Sequence, residues 1–386
     1  MKGWELRASA LERPSAEIAM AACRQWPEGP GLVIGSGGSS GGRKWCLQSW
    51  RNLKQSALSC GQWLEGIGID PSRVQVVNPL PTDHMGGLMP QVRAELWEAP
   101  LLSINAAELK DPEALLQRGD ALGAGGREAL ISLVPTQLQR LMANPAGVQW
   151  LQHFRLIWVG GAALSPALAE QARKHKLQLS PCYGATETAA MVCATDPVAF
   201  LAGAAGCGHP LSDVQLRLEP KTNAIEVKTN RLSAGWLNGE QLQPFADAEG
   251  WWRSGDGGQL NEQGIRVLGR LDGAITTGGA TVFPEQIEAA LAGTPGVAAL
   301  LVVGVPDPQW GERLVGLVRL NPAAEPEAVL HALQQRARGL PPAERPRQWQ
   351  ITPTLSSNQQ GKWERRRWAQ AALQQPKGTP GTVPLS

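Results

Sequence analysis

Residues 269–288 read Gly269-Arg270-Leu271-Asp272-Gly273-Ala274-Ile275-Thr276-Thr277-Gly278-Gly279-Ala280-Thr281-Val282-Phe283-Pro284-Glu285-Gln286-Ile287-Glu288, and they decide how the chain divides. Glycines flank Arg270 and Asp272, which makes a charged turn. The pair Gly278-Gly279 marks a loop whose bare backbone can approach a ligand closely. Pro284 then opens a helix, with Glu285 and Glu288 near the positive end of its dipole. A charged turn, a glycine loop and a fresh helix together predict a domain joint beside an active site.

The rest of the chain fits two domains. Its 386 residues are more than one core usually organises. A net charge of +2 offers no broad basic field for nucleic acid. The 44 glycines and 30 prolines are dispersed between periodic segments and act as turn markers. Cysteines at 23, 46, 60, 182, 193 and 207 lack zinc-knuckle spacing, and the histidines do not cluster with them. The N-terminal Met-Lys-Gly-Trp-Glu-Leu-Arg-Ala is too charged for a signal peptide. The longest apolar run, Val297–Val305, is too short to span a bilayer and predicts a buried strand. The expectation is a reduced, cytoplasmic protein without membrane insertion.

Strands are expected at 31–35, 74–78, 129–134 and 156–159. They alternate with helices from Leu47 to Glu65, at 86–96, 111–119 and 136–143, and after Ser165-Pro166. That alternation implies a largely parallel sheet. Short strands follow at 214–218, 224–228 and 264–268. Beyond the joint come a helix at 284–292, strands at 297–305 and 314–320, a helix at 326–338, a strand at 348–351 and a tail at 376–386 expected to fray. The predicted fold is α/β: a large N-terminal domain over 1–271 with mixed and parallel sheets, and a small mobile α+β domain over 272–386.

Six segments could carry chemistry. Ser36-Gly-Gly-Ser-Ser-Gly-Gly-Arg-Lys44, expected between a strand and a helix, offers N–H groups, hydroxyls and one ammonium to phosphate oxygens. It fits neither the Walker A nor the dinucleotide-binding spacing, so on its own it reads equally as a flexible turn. His84, in Pro79-Leu-Pro-Thr-Asp-His84, can be structural or catalytic. Val159-Gly160-Gly161 is a strand end, where open α/β sheets bind ligands. Tyr183-Gly-Ala-Thr-Glu187 holds the only tyrosine and a carboxylate suited to a hard cation. Asp256, in Ser254-Gly-Asp-Gly-Gly258, can grip two hydroxyls or close a turn. Asn358-Gln-Gln-Gly-Lys-Trp-Glu-Arg-Arg366 is a basic run near the C-terminus.

In this order, from residue 36 to 366, the segments resemble the motifs of the adenylate-forming superfamily, which contains acyl- and aryl-CoA ligases. The resemblance implies a phosphate loop of Ser36, Gly37, Ser39, Ser40, Gly41 and Lys44, with Ser39 and Ser40 for threonines and Arg43 for a proline. It implies that His84 lies by the acyl carboxylate, although one extra residue precedes it here. Gly161 would line the adenine and acyl group, and the Tyr183 ring would pack on adenine. Thr186 would meet the α-phosphate and Glu187 would coordinate magnesium. Asp256 would hold the ribose, and Arg270 the ribose or phosphate. Asp272 would be the hinge, Gly278 and Gly279 the CoA tunnel, and Lys362 the catalytic lysine.

Within the superfamily the chain is most similar to short 2-succinylbenzoate–CoA ligases of menaquinone and phylloquinone biosynthesis. That implies a small-molecule carboxylate, ATP with Mg²⁺, and CoA as co-substrate, with no nucleic acid and no defined oligomeric state. Another aryl- or acyl-CoA ligase, or a non-catalytic nucleotide- or acyl-binding relative, remains open. An amino-acid-activating domain is disfavoured, because His84 stands where such domains carry an aspartate. Fewer residues precede the phosphate loop than is usual in the superfamily, so an abbreviated N-terminal subdomain is expected.

Overall fold

The computed structural model describes residues 5–7, 13–24, 31–36, 44–119, 122–123, 125–238, 241–356, 363–374 and 383–384. The chain divides into two compact units. One comprises 1–164, 168–254 and 258–267; the other comprises 165–167, 255–257 and 268–386.

The first unit is built on a seven-stranded sheet. Its order is His209–Pro210, Ala190–Ala194, Leu179–Ala185, Phe154–Val159, Glu128–Leu133, Val74–Asn78, Leu101–Ser103. The last five run parallel, and the first two are antiparallel additions at one edge. The parallel strands are apolar on both faces, as a doubly covered sheet requires. Val76, Leu130, Leu156 and Trp158 enter one core cluster. Val77, Ile131, Ile157 and Val159 enter another. Helices 50–66 and 85–96 interdigitate through Leu53, Ala57, Leu88, Met89 and Val92. A four-stranded sheet has the order Val214–Leu218, Ala224–Thr229, Trp252–Asn261, Gly264–Arg270.

One expectation is corrected by a further sheet, ordered Glu5–Arg7, Gly31–Ser36, Lys44–Ser49, Trp236–Asn238, Gln241–Gln243. Leu47 does not begin a helix. It pairs with Val33 in an antiparallel register and packs with Val33 and Trp45. The helix starts at Trp50, where the Ser49 hydroxyl caps it by accepting from the Asn52 amide at 3.1 Å. The Gly/Ser segment therefore joins two strands of a hairpin rather than a strand to a helix.

The second unit has a sheet centred on the hairpin Val297–Asp307 and Gly311–Leu320. Asp307 closes its turn by accepting from the Gln309 and Trp310 amides at 3.0 and 3.1 Å. Helices Pro284–Leu291 and Pro326–Ala337 cover one face through Ile287, Leu291, Val329 and Leu333. Arg365–Gln374 covers the other through Trp368 and Ala372. Within the expected frayed tail, Val383 and Pro384 pair with Trp349 and Gln348.

No helix among the described residues is long and apolar enough to cross a membrane. All six cysteines are free. Burial pushes the Cys182 and Cys207 thiols up to about 12, and Cys46 and Cys193 well above their usual value. Thiolates rather than thiols react with alkylating agents. Iodoacetamide at pH 8 should therefore label these four far more slowly in folded than in urea-unfolded protein, as peptide mass mapping would read. The sign for stability follows. These thiols favour the folded state fully below their unfolded pKa, and the contribution is lost as pH rises toward about 12.

Candidate active site

Because strands 74–78, 128–133, 154–159 and 179–185 run parallel, their C-terminal ends share one edge. The segments leaving that edge carry His84, Gly161 and the Thr186-Glu187 pair. Asn78 organises the first. Its amide donates to the Gly87 carbonyl at 2.8 Å, and its side-chain oxygen accepts from the Leu80 amide at 3.1 Å. The chain folds so tightly there that a Cβ on Gly87 would fall 2.1 Å from the Pro81 carbonyl. His84 sits just before helix 85–96, its carbonyl accepting from Gly87 and Leu88, and its side chain is exposed. Gly161 has φ +79°, and a Cβ there would meet nothing closer than Val134 at 3.5 Å. Space is available but the backbone conformation disfavours a side chain. Gly161→Ala should cost about 1–2 kcal/mol, read as a lower urea midpoint at unchanged slope.

The Tyr183–Glu187 segment is held from several sides. Tyr183 is buried and pairs with Cys193 across the sheet edge. Gly184 lies where a Cβ would be 2.1 Å from the Ala190 carbonyl, so the motif needs glycine for close backbone approach. A short 3₁₀ turn then spans Thr186–Thr188. Gln48 donates through Nε2 to the Thr186 carbonyl at 2.7 Å and the Glu187 carbonyl at 3.0 Å. The Ser233 amide also donates to the Glu187 carbonyl, at 2.8 Å. The Glu187 side chain is buried, and its Oε1 accepts from the Trp236 indole at 3.0 Å. Among the described residues no lysine or arginine forms an ion pair with it. Lys44 Nζ lies 4.1 Å from the centroid of the same Trp236 ring.

After Thr188 the chain turns through Ala189 and Ala190, with φ +52° and +76°. Such left-handed alanines persist only where neighbours hold them. Arg231, fully buried, donates to the Thr188 and Met191 carbonyls and pairs with Asp213 at 2.7 Å. Ser56 donates to the Ala189 carbonyl at 2.6 Å. Gln48, Ser56, Arg231 and Trp236 escaped sequence reasoning. They come from distant segments and belong to no local pattern, and only the folded chain gathers them.

Arg93 also escaped it. It lies on helix 85–96 with 4% exposure, and its guanidinium carbon is 4.7 Å from the Trp158 ring centroid. Its Nε, the Trp158 Nε1 and the Ser180 hydroxyl are all buried without a hydrogen-bond partner among the described residues. Trp158 and Ser180 are register partners on adjacent strands. No carboxylate among the described residues pairs with Arg93. A buried cation without a counter-charge is costly, and unanswered donors around it match an anionic, acceptor-rich ligand.

In the second unit, Arg270 bridges Asp256 at 3.4 Å and Asp272 at 3.2 Å. The expected nucleotide contacts and the expected hinge residue thus form one charge cluster. Gly255, at φ +80°, lets Arg270 lie against the backbone, where a Cβ would be 3.1 Å from its guanidinium. Gly278 and Gly279, at φ +57° and +81°, form the two-residue turn between strands 275–277 and 280–282. Both positions need positive φ, so the hairpin itself requires the glycines. The Gly278 amide donates to the Trp310 carbonyl at 2.9 Å. Glu285 and Glu288 do more than complement a helix dipole. Both pair with Arg365, which also donates to the Val302 carbonyl at 2.9 Å. Gly37, Ser39, Ser40, Gly41 and Lys362 lie outside the described residues, as does the side chain of Ser36.

A parallel sheet whose C-terminal edge carries these segments, and a separate compact α+β unit, define the class. The chain belongs to the AMP-binding enzyme family, whose model matches residues 4–230, and the AMP-binding enzyme C-terminal domain matches 286–362. It is 32% identical over 190 residues to 2-succinylbenzoate–CoA ligase of Escherichia coli, covering 49% of this chain and 40% of that protein. It is 27% identical over 349 residues to 2-succinylbenzoate–CoA ligase of Enterococcus faecalis, covering 87% of this chain and 68% of that one. The fold matches o-succinylbenzoate CoA synthetase from Bacillus subtilis, solved with its acyl-adenylate intermediate. That comparison gives TM-score 0.75 and 22% identity over 90% of this chain and 69% of the other. The chain thus spans well under two thirds of the Escherichia coli relative.

Proposed function

We propose that the chain is an ATP-dependent acid–CoA ligase whose substrate is 2-succinylbenzoate, working in the cytoplasm as a step of menaquinone or phylloquinone formation. Arg93 carries the choice of acid. A 2-succinylbenzoate molecule has two carboxylates, and only one can be activated. The other stays charged and needs a buried cation, and Arg93 is buried beside the Trp158 ring with an unanswered donor. A simple fatty acid would leave that guanidinium unpaired. The names of the sequence relatives support the same acid.

In the first step a carboxylate oxygen attacks the α-phosphorus of Mg·ATP, and the bond to pyrophosphate breaks. In the second the CoA sulfur, losing its proton, attacks the acyl carbon, and the bond to AMP breaks. The chain's work is positioning and charge stabilisation. Lys44 and the Ser36–Gly41 segment hold the outer phosphates, and the Thr186 hydroxyl meets the α-phosphate. Glu187 is one buried carboxylate with one oxygen engaged, which suits a magnesium ion that brings its other ligands on ATP. When bound, magnesium would supply charge neutralisation for the departing pyrophosphate, with Glu187 as its protein ligand. Tyr183 and Gly161 border the adenine, Asp256 and Arg270 hold the ribose, and His84 lies at the acyl carboxylate. Asp272 is the pivot at which Lys362 gives way to the Gly278-Gly279 turn for CoA.

ATP–pyrophosphate exchange and AMP release over a carboxylate panel test this reading. Exchange with 2-succinylbenzoate alone, and AMP release once CoA is added, is the expected result. Turnover confined to fatty acids would remove the proposed acid. Nucleotide binding without turnover on any carboxylate would support a non-catalytic relative.

A further inference from the structure

We infer that Trp236 is a positioning residue that aims the Glu187 carboxylate at the magnesium of Mg·ATP and keeps Lys44 from neutralising it. The inference rests on the ATP-dependent reading above and deepens it.

The ring makes two contacts of opposite sense. Its N–H edge donates to Glu187 Oε1 at 3.0 Å, while its face receives the Lys44 ammonium 4.1 Å from the centroid. An aromatic ring is positive at its edge and negative on its face, so both contacts are attractive. An indole nitrogen donates and cannot accept, so the bond to Oε1 has one possible polarity and leaves Oε2 for a cation. The backbone of Glu187 is fixed independently by Gln48 and Ser233, so the indole bond settles the remaining side-chain freedom.

Trp236 is itself immobilised. It pairs with Cys46, two residues along the same strand from Lys44, and its ring packs on Phe245 at 4.7 Å between centroids. The ring therefore holds an ammonium and a buried carboxylate close together without letting them touch. Direct pairing would cancel both charges, whereas the spacer keeps the carboxylate for the metal and the ammonium for phosphate.

Titration calorimetry on the full chain tests this with Mg·ATP and with ATP in excess EDTA. Trp236→Phe keeps the ring face and deletes the N–H. It should weaken Mg·ATP binding about tenfold, the usual cost of removing a hydrogen bond behind a metal ligand, and leave metal-free ATP unchanged. Trp236→Leu removes the spacer too and should weaken both forms of ATP. In a Glu187→Gln background, Trp236→Phe should add no further loss, because the indole acts through that carboxylate. Wild-type affinity of Trp236→Phe for Mg·ATP would overturn the inference, as would equal loss for both ATP forms or additive losses in the double variant. Failure of the wild-type chain to bind Mg·ATP would overturn the ligase reading, and the inference with it.

Discussion

Lys362→Ala should lower acyl-adenylate formation by about 10²–10³-fold and leave thioester formation from a supplied acyl-adenylate nearly unchanged. Adenylation brings an anionic carboxylate against an anionic phosphate, so a cation between them stabilises the transition state more than the ground state. Thioester formation has no such encounter and should not need the lysine. The geometry behind this prediction is the anchoring of Arg365, three residues along, to Glu285, Glu288 and Val302. That cluster ties the start of helix 365–374 to the helix that follows the domain joint. Single-turnover assays of each half-reaction read the two rates separately. Normal adenylation by Lys362→Ala would remove the lysine from the mechanism.

Arg93→Leu should raise the KM for 2-succinylbenzoate by about 10²-fold or more, leave the ATP dissociation constant unchanged and raise the thermal midpoint of the ligand-free protein. The first effect is the loss of a buried charge pair, which typically costs about 2–5 kcal/mol of binding. The third distinguishes a binding role from a structural one. An unpaired buried cation opposes folding, so an apolar side chain of similar reach relieves the cost. A structural arginine would behave oppositely, with its leucine variant less stable and its KM unaltered. Function at the expense of stability is what a charge held ready for a ligand predicts.

Much of the fold was legible in the sequence because its signals are local. The run Val297–Val305 gave its strand directly, since an uninterrupted apolar segment of that length is covered on both faces. Pro284 marked the start of its helix, where the missing N–H costs nothing. Leu47 misled because its spacing to Trp50 and Leu53 is helical by coincidence. The competing signal was strand pairing with Val33, fourteen residues earlier, and pairing has no local signature.

The candidate site divides along the same line. Its motif residues were visible because chemistry demands particular types at short spacing, as in Tyr183 to Glu187 or Gly269 to Asp272. The α/β class was legible in the sequence alone, which also proposed the joint near residue 270 and the groups assigned to the nucleotide. Only tertiary structure decided that Arg93 lies buried with no counter-charge among the described residues, that Arg231 clamps the left-handed alanines and that Trp236 stands between Lys44 and Glu187. The physical reason is that burial and hydrogen bonding depend on which distant segments meet. An arginine, a tryptophan or a glutamine spells nothing by itself until the fold decides whether its polar atoms find a partner, a ligand or water.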